Sequence, residues 1–240
     1  MITYFRKIRS RLLATNKTGK YIKYALGEIV LVVIGILIAL QINDWNEDRK
    51  SRNIELKTLK ELKADLLQTR EDIKSDSSNF QHIIRSNQVI LKHIEASLPY
   101  HDSLLPHFLW MEPFQTFSIN RTTFDNIRQN GVNMISNDTI RISVSEFYTR
   151  PINLYLELEK RMLNEHYENY FRPMVMEAFG VNADNTLILN DYDGFIANGE
   201  YKQVLMHTVR ICSQMCNFQG YLLKSLEEII QQVNAEIQSF

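Results

Sequence analysis

One apolar stretch constrains the fold of this chain more than any other part of its sequence. The segment from Tyr24 to Ile42 contains 19 residues, of which only Glu28 and Gln41 are strongly polar. As a helix rising about 1.5 Å per residue, it would extend roughly 28 Å, close to the thickness of the hydrocarbon core of a bilayer. The sequence therefore predicts one transmembrane helix, which we place at residues 21–43.

The charges on either side of this stretch predict its orientation. Seven Lys and Arg residues and no Asp or Glu precede residue 25, whereas residues 44–240 carry 20 basic and 27 acidic side chains. Because Lys and Arg are retained on the cytoplasmic side, we expect a basic cytoplasmic segment at residues 1–20 and a body outside the cytoplasm. Two forms of the basic segment fit its sequence, an amphipathic helix on the inner leaflet or a tail without regular structure.

Residues at the edges of the predicted span carry further expectations. Tyr24 and Trp45 lie where amphipathic rings sit at the level of the lipid headgroups. Glu28 is open to two interpretations, a carboxylate that reaches the inner headgroups or an intramembrane acid with a functional partner. Gly35 belongs, with Gly27, to a row of small residues that would let a second helix approach closely.

A cleaved signal peptide is the alternative to an uncleaved anchor. The apolar run begins more than 20 residues into the chain and is longer than a signal peptide requires. It ends in Ala39-Leu40-Gln41, which lacks the small-x-small pattern of a cleavage site. We therefore expect a signal anchor that stays in the mature protein.

A long helix is predicted to follow the span, since no Gly or Pro interrupts the chain between Asn43 and Pro99. Apolar side chains recur along it at every seventh position, at Leu59, Leu66, Ile73 and Phe80. Such a heptad row is typical of a coiled coil, and it predicts an oligomer seam between copies of the chain along a helical stalk at residues 44–78. A third apolar row joins after residue 80, which favours packing in a bundle.

The following region, from residue 79 onward, predicts helices joined by a long connection. Three prolines interrupt residues 99–120, and the aromatic side chains there either cap the end of the bundle or line a pocket. A short helix is expected at residues 122–130, and Ser136 or Asn137 is expected to cap the next one. Pro151 is expected to kink that helix rather than end it.

The end of the chain completes the predicted fold. The last helix is predicted over residues 201–238, where apolar residues recur at spacings of three and four. Residues 180–200 are predicted to form a polar loop, and the candidate strand from Thr186 to Leu189 is too short to seed a sheet. The predicted fold class is therefore all-α, with a single N-terminal transmembrane helix continuing into a long helical stalk and an antiparallel helical bundle at residues 79–240.

Two blocks of sequence carry a resemblance to a known family. The residues GEIVLVVIGILIALQINDWN, preceded by FRKIR near the start of the chain, resemble the opening of a family of single-span membrane proteins of unknown function found in Gram-negative bacteria. A second and looser block, TTFDNIRQNGVNMISNDTIRISVSEFY at residues 122–148, is similar to the middle of that family. The resemblance implies a bacterial inner-membrane location with a periplasmic body. It implies no catalytic or binding residue.

The sequence offers few groups for chemistry. The nearest approach to a metal motif is LNDYDGFIANGE, which places Asp191, Asp193 and Glu200 at positions three, five and twelve of a calcium loop. Position one is Leu189 rather than Asp, and such residues also occur in ordinary surface turns. No histidine has the spacing of a zinc motif. We therefore expect no metal site and no cofactor.

The cysteines and the catalytic motifs lead to a similar expectation. Cys212 and Cys216 are the only cysteines, and two cysteines one helical turn apart do not reach good disulfide geometry without distortion. Small buried thiols are expected, with oxidation or pairing between chains as alternatives. The chain has no glycine-rich phosphate loop and no nucleophile elbow, so we expect no catalytic residue and no enzymatic activity.

Two classes of function fit these observations. The first is a structural, scaffolding or partner-binding component that is anchored in the lipid bilayer and forms a homo-oligomer or binds another membrane or periplasmic protein. The second is an extracytoplasmic sensor or small-ligand-binding module, which would need a partner that crosses the membrane. Nucleic-acid binding is disfavoured because the acidic side chains of the body outnumber the basic ones.

Overall fold

A computed structural model describes residues 18–113, 119–130, 134–183 and 187–240, without the side chains of residues 18–21, 24 and 130. Most of the basic segment predicted at residues 1–20 therefore lies outside the described residues, as does the side chain of Tyr24. The chain divides into two compact units, Met1–Ile54 and Glu55–Phe240. The fold is all-α, as predicted, with one short pair of strands.

A single long helix, α1, runs over Thr18–Glu95 and includes residues of both units. Its uninterrupted course follows from the absence of Gly and Pro after Gly35. It ends just before Pro99, where Ser97 adopts a left-handed conformation with φ of 47° and Leu98 donates its N–H to the His93 carbonyl at 3.0 Å. Both features are typical of a helix C-terminus.

The first unit contains the apolar stretch of α1. Its large apolar side chains are exposed throughout, from Ile22 at 52% to Ile42 at 61%. Within the part of the chain that the structure describes, one helix is long and apolar enough to cross a membrane, and this N-terminal stretch is what makes it so.

The second unit is a helical bundle. The remaining helices are α2 (Leu105–Leu109), α3 (Thr122–Asn130), α4 (Asp138–Thr149), α5 (Pro151–Leu158), α6 (Arg172–Ala178), α7 (Tyr192–Ala197) and α8 (Gly199–Gln238). A 3-10 turn at Asp102–Leu104 precedes α2, and π-helical turns at Glu159–Asn164 and Tyr167–Phe171 join α5 to α6. We call the run from α4 to α6 the kinked column.

Polar contacts with α1 give the direction of each segment. The connection after α1 returns along it, since Met111 accepts from Asn87, Asn120 donates to Asp65, and Ser136 donates to Glu55. We call residues 99–137 the return segment.

The other two long segments pair with α1 in opposite directions. The kinked column runs parallel to α1, because it starts beside Glu55 and reaches Asp76 at Tyr155. The helix α8 is antiparallel to α1, with Lys202 beside Glu95 and Glu227 beside Arg70. Successive segments of the bundle thus alternate in direction.

The heptad row lies in the core of the chain itself. Leu59, Leu66, Ile73 and Phe80 all have 0% exposure, in one cluster with Phe147 of the column and Leu222 of α8. The second compact unit begins at Glu55 and includes this row. The bundle of the same chain covers these side chains, and the separate stalk and the seam between copies stay predictions.

The kinked column bends where its prolines break the helical hydrogen bonding. Arg150, with φ of −113° and ψ of −75°, separates α4 from α5 at Pro151, which agrees with the predicted kink. Pro173 has no N–H to donate, and the π-helical turn before it ends with Arg172 donating to the Tyr167 carbonyl. The column therefore continues past both prolines.

The described residues of 179–183 and 187–198 contain more regular structure than the predicted loop. Strand β1 (Phe179–Val181) pairs antiparallel with β2 (Leu187–Leu189), and Gly180 lies opposite Ile188. A Cβ on Gly180 would meet Asn190 Oδ1 at 2.8 Å, so a larger residue there would require the Asn190 side chain to move. The candidate strand near Leu189 does form, because the end of the kinked column supplies the partner strand.

Candidate functional site

A cavity of about 490 Å³ opens at the end of the bundle that holds the hairpin. The residue after Pro99, the helix α2, both strands and α7 supply its walls. Its described lining is mostly aromatic or aliphatic and includes Tyr100, Leu105, Phe108, Phe179, Ile188 and Tyr192. The return segment thus brings Tyr100 and Phe108 against a hairpin that lies far away in sequence.

Three phenylalanines pack against one another and form a wall behind the cavity. Phe108 of α2 lies edge-on to Phe179 of β1 at 5.3 Å between ring centroids and to Phe195 of α7 at 5.8 Å. Phe179 and Phe195 are 5.7 Å apart in a third edge-on contact. All three side chains are at most 6% exposed. Edge-to-face packing of this kind fixes ring orientations, so the wall is formed without a ligand.

The rim of the cavity contains two tyrosines and an isoleucine. Tyr192 donates its hydroxyl to the Leu98 carbonyl at 2.8 Å, and Tyr100 packs edge-on against it at 5.4 Å. Tyr100 is 45% exposed and Ile188 is 46% exposed. The rim therefore presents apolar surface to solvent on a hydrogen-bonded frame.

The cavity is uncharged along its described lining. None of the lining residues that the structure describes is Asp, Glu, Lys, Arg or His. Burial raises the pKa of the Tyr192 phenol, with a smaller contribution from Asp193, so this side chain stays neutral at physiological pH. Asn182 supplies an amide at one edge. Such a lining offers mainly apolar contacts.

A buried polar cluster crosses the middle of the bundle. Tyr155 of α5 donates to Asp76 Oδ2 at 3.1 Å, and Gln219 of α8 donates to the same oxygen at 2.5 Å. Gln219 Nε2 also lies 2.7 Å from the Tyr155 hydroxyl. All three residues are at most 7% exposed. The cluster therefore joins α1, the kinked column and α8 at one level.

Burial determines the ionisation of this cluster. It raises the pKa of the Asp76 carboxyl above its ordinary value, while the hydrogen bonds from Tyr155 and Gln219 oppose the change. Burial also raises the pKa of Tyr155, and the charge of Asp76 adds to it. Cys212 and Cys216 are free thiols, and burial raises the pKa of both. Asp76, Tyr155 and Cys212 are therefore buried within the bundle, whereas Cys216 is half-buried.

A second buried polar contact joins the column to α8. His166, which is 7% exposed, hydrogen-bonds Thr208 through Nε2 at 2.9 Å, and its ring lies 6.2 Å from that of His207. Burial lowers the pKa of His166, and the charge of His207 lowers it further. The ring is therefore held in its neutral form within the bundle.

The predicted anchor residues do not converge on one site. Glu28 and Trp45 are exposed, and Trp45 receives a cation–π contact from Arg49 at 5.9 Å. A Cβ added at Gly35 would meet nothing within 4 Å. All three residues lie at exposed positions of α1.

The segment LNDYDGFIANGE, which partly matches a calcium loop, forms the starts of two helices. Asp191 accepts the N–H of Gly194 at 3.0 Å and so caps α7, and Asp193 lies within that helix. Among the described residues, no three His, Cys, Asp or Glu side chains are placed to hold a metal ion. The run of Asp, Asn and Gly thus encodes two helix starts, since Asn198 caps α8 in the same way.

The sequence predicted this cavity only in part. The aromatic residues of the return segment were expected either to cap the bundle or to line a pocket, and Phe108 does both. The contribution of the hairpin was missed, because its strands are three residues each and give little periodic signal.

Comparison with known proteins gives one match. Residues 28–98 match the model of a family of unknown function, DUF6090. No curated protein and no solved structure matches the chain. The match spans most of α1 and the turn after it, and leaves residues 122–148 outside. What the chain shares with this family is therefore the apolar N-terminal stretch and the helix that continues from it.

Proposed function

We propose that this protein is a single-pass membrane protein whose helical body acts outside the cytoplasm as a structural or partner-binding component. The observation that carries the proposal is the exposed apolar surface of α1 between Ile22 and Ile42. Soluble monomers rarely expose a continuous apolar patch of more than a few hundred Å². A bilayer removes this apolar surface from water. A helix is compatible with the bilayer because its backbone N–H and C=O groups hydrogen-bond to each other.

The charges support the proposed orientation. The basic residues before the span favour a cytoplasmic N-terminus, and the acidic body fits a periplasmic location. Together with the sequence resemblance, these charges support a bacterial inner-membrane location.

We propose that a partner protein, whether a second copy of this chain or another protein, binds at a surface other than the heptad row. Because that row is covered within the chain, a second copy would associate through the span, where Gly27 and Gly35 would allow close approach. Another membrane or periplasmic protein is the other partner considered. We propose no nucleic-acid partner and no enzymatic activity.

Reporter fusions test the proposed orientation. Alkaline phosphatase fused after Phe240 is expected to be active and a fluorescent protein that folds only in the cytoplasm is expected to be dark. The reverse pair of results would contradict the orientation. A truncated control that starts at Glu55 should lose membrane association, and its retention on membranes would contradict the anchor.

Crosslinking tests the proposed role. Crosslinked purification from native membranes should recover the same partner repeatedly, or a dimer that the paired changes Gly27→Leu and Gly35→Leu weaken. Recovery of uncrosslinked monomer alone would contradict a partner-binding role. A ligand-binding module is a second candidate, and the cavity beside the hairpin is the observation that favours it.

A further inference from the structure

We infer that the cavity beside the hairpin is a binding site for an uncharged, mainly apolar small molecule. This goes beyond the proposed membrane role, since it concerns a site within the second compact unit. The argument uses the size of the cavity, its rigid wall, its neutral lining and the exposure of its rim.

The size of the cavity fits a small molecule. Its volume of about 490 Å³ lies within the range of roughly 300–1,000 Å³ typical of ligand pockets. A stable protein interface needs roughly 1,000 Å² or more of buried surface. The exposed apolar side chains of the described lining are Tyr100, Leu105 and Ile188, whereas a standard interface uses about 20–30 residues on each side. The concave shape therefore favours a small molecule over a protein partner.

The wall of the cavity is already in place. The edge-on contacts of Phe108, Phe179 and Phe195 hold their rings, and the bond from Tyr192 to the Leu98 carbonyl holds the rim. A ligand would therefore bind without ordering these side chains, and the entropic cost of binding is correspondingly smaller. Aromatic walls with a hydrogen-bonded rim suit a flat or ring-shaped apolar group.

The chemistry of the lining selects a neutral ligand. A carboxylate or ammonium group that entered the cavity would lose its hydration without gaining a charged partner among the described lining residues. An uncharged molecule meets no such penalty.

Photolabelling of the full chain in lipid nanodiscs tests this inference. The probe is 3-trifluoromethyl-3-phenyldiazirine, a neutral aryl compound, and its 4-carboxylate is the charged comparison. We expect the neutral probe to label peptides that contain Tyr100 or Ile188, and naphthalene in excess to reduce that labelling. We expect the charged analogue to label these peptides at least about tenfold less. Equal labelling by the two probes, or no labelling of these peptides, would overturn the inference.

Matched variants on the hairpin make the test specific. Ile188→Asp places a carboxylate on the rim and is expected to reduce labelling about tenfold or more. Val181→Asp makes the same kind of change on the other strand, at a residue that is 63% exposed and outside the described lining. It should leave labelling unchanged. Equal effects of the two variants would contradict a site in the cavity.

Two further measurements keep the result interpretable. If circular dichroism shows that Ile188→Asp does not fold, Ile188→Trp replaces it, since a larger apolar side chain on the rim should also reduce labelling. A phospholipid with a diazirine in its acyl chain distinguishes a free molecule from a lipid of the bilayer. Stronger labelling of Tyr100 or Ile188 peptides by that phospholipid than by the free probe would overturn the inference.

Discussion

Tyr155 and Asp76 lie 79 positions apart in sequence and are joined by a hydrogen bond of 3.1 Å in the centre of the bundle. Gln219 completes the contact from α8. A buried carboxylate of this kind is costly unless its hydrogen bonds are made, so the contacts from Tyr155 and Gln219 favour the relative register in which the three helices pack.

The raised pKa of Asp76 predicts how stability depends on pH. Because its pKa is higher in the folded protein than its ordinary value of 3.8, the folded state binds the proton more tightly. Asp76 therefore contributes most stability below that value, and the contribution is lost as the pH rises through the folded pKa. We expect Asp76→Asn to remove this decline. Urea unfolding of the wild type and the variant at several pH values measures this decline. If the free energy of unfolding changed with pH in the same way for both proteins, the prediction would be wrong.

Removing the Tyr155 hydroxyl should destabilise the bundle. Tyr155→Phe leaves Asp76 with one of its two described donors, and we expect a loss of about 1–3 kcal/mol in the free energy of unfolding. Tyr221→Phe on α8 is the matched control, because Tyr221 is 60% exposed. Denaturant unfolding measures both. Equal small effects would show that the hydroxyl is not part of the cluster.

Shortening a residue of the heptad row should change stability rather than mass. Leu66→Ala creates a cavity in the core and is expected to cost about 2–5 kcal/mol. Leu154→Ala, at a position that is 48% exposed, should change stability by less than about 0.5 kcal/mol. Unfolding curves and light-scattering mass are the measurements. A halved mass with unchanged stability of the protomer would restore the seam between copies.

Asp65 is predicted to hold the return segment on α1. Its carboxylate accepts from Asn120 Nδ2 at 2.8 Å and from the backbone N–H of Thr123 at 2.9 Å, at the start of α3. Asp65→Ala should therefore speed hydrogen exchange of the backbone amides in α3 before those of α8. Asp72→Ala removes only an exposed contact with Gln68 and serves as the control. Unchanged exchange in α3 would show that packing alone holds this segment.

Long helices were predictable from the sequence because each has a continuous apolar row. The unbroken course of α1, the short helix ending at Asn130, the kink at Pro151 and the last helix all follow from periodicity, glycine and proline. These are local signals. The predicted all-α class is confirmed. An apolar row does not, however, determine which helix packs against it.

The heptad row shows why the tertiary contacts between helices could not be predicted from the sequence. A row such as Leu59, Leu66, Ile73 and Phe80 fits a second copy or another helix of the same chain equally well, and only tertiary contacts decide. The polar cluster at Asp76 likewise depends on residues more than 60 positions apart. The cavity needs a hairpin whose strands are too short to give a periodic pattern.

The pairing of α1 with α8 delays folding during synthesis. Arg70 and its partner Glu227 are separated by 157 positions, and at typical rates of translation the ribosome needs roughly 8–30 s to make the intervening chain. Throughout that interval the row at Leu66 has no α8 to cover it. A newly made chain thus exposes this apolar row to its surroundings until its last helix has been synthesised.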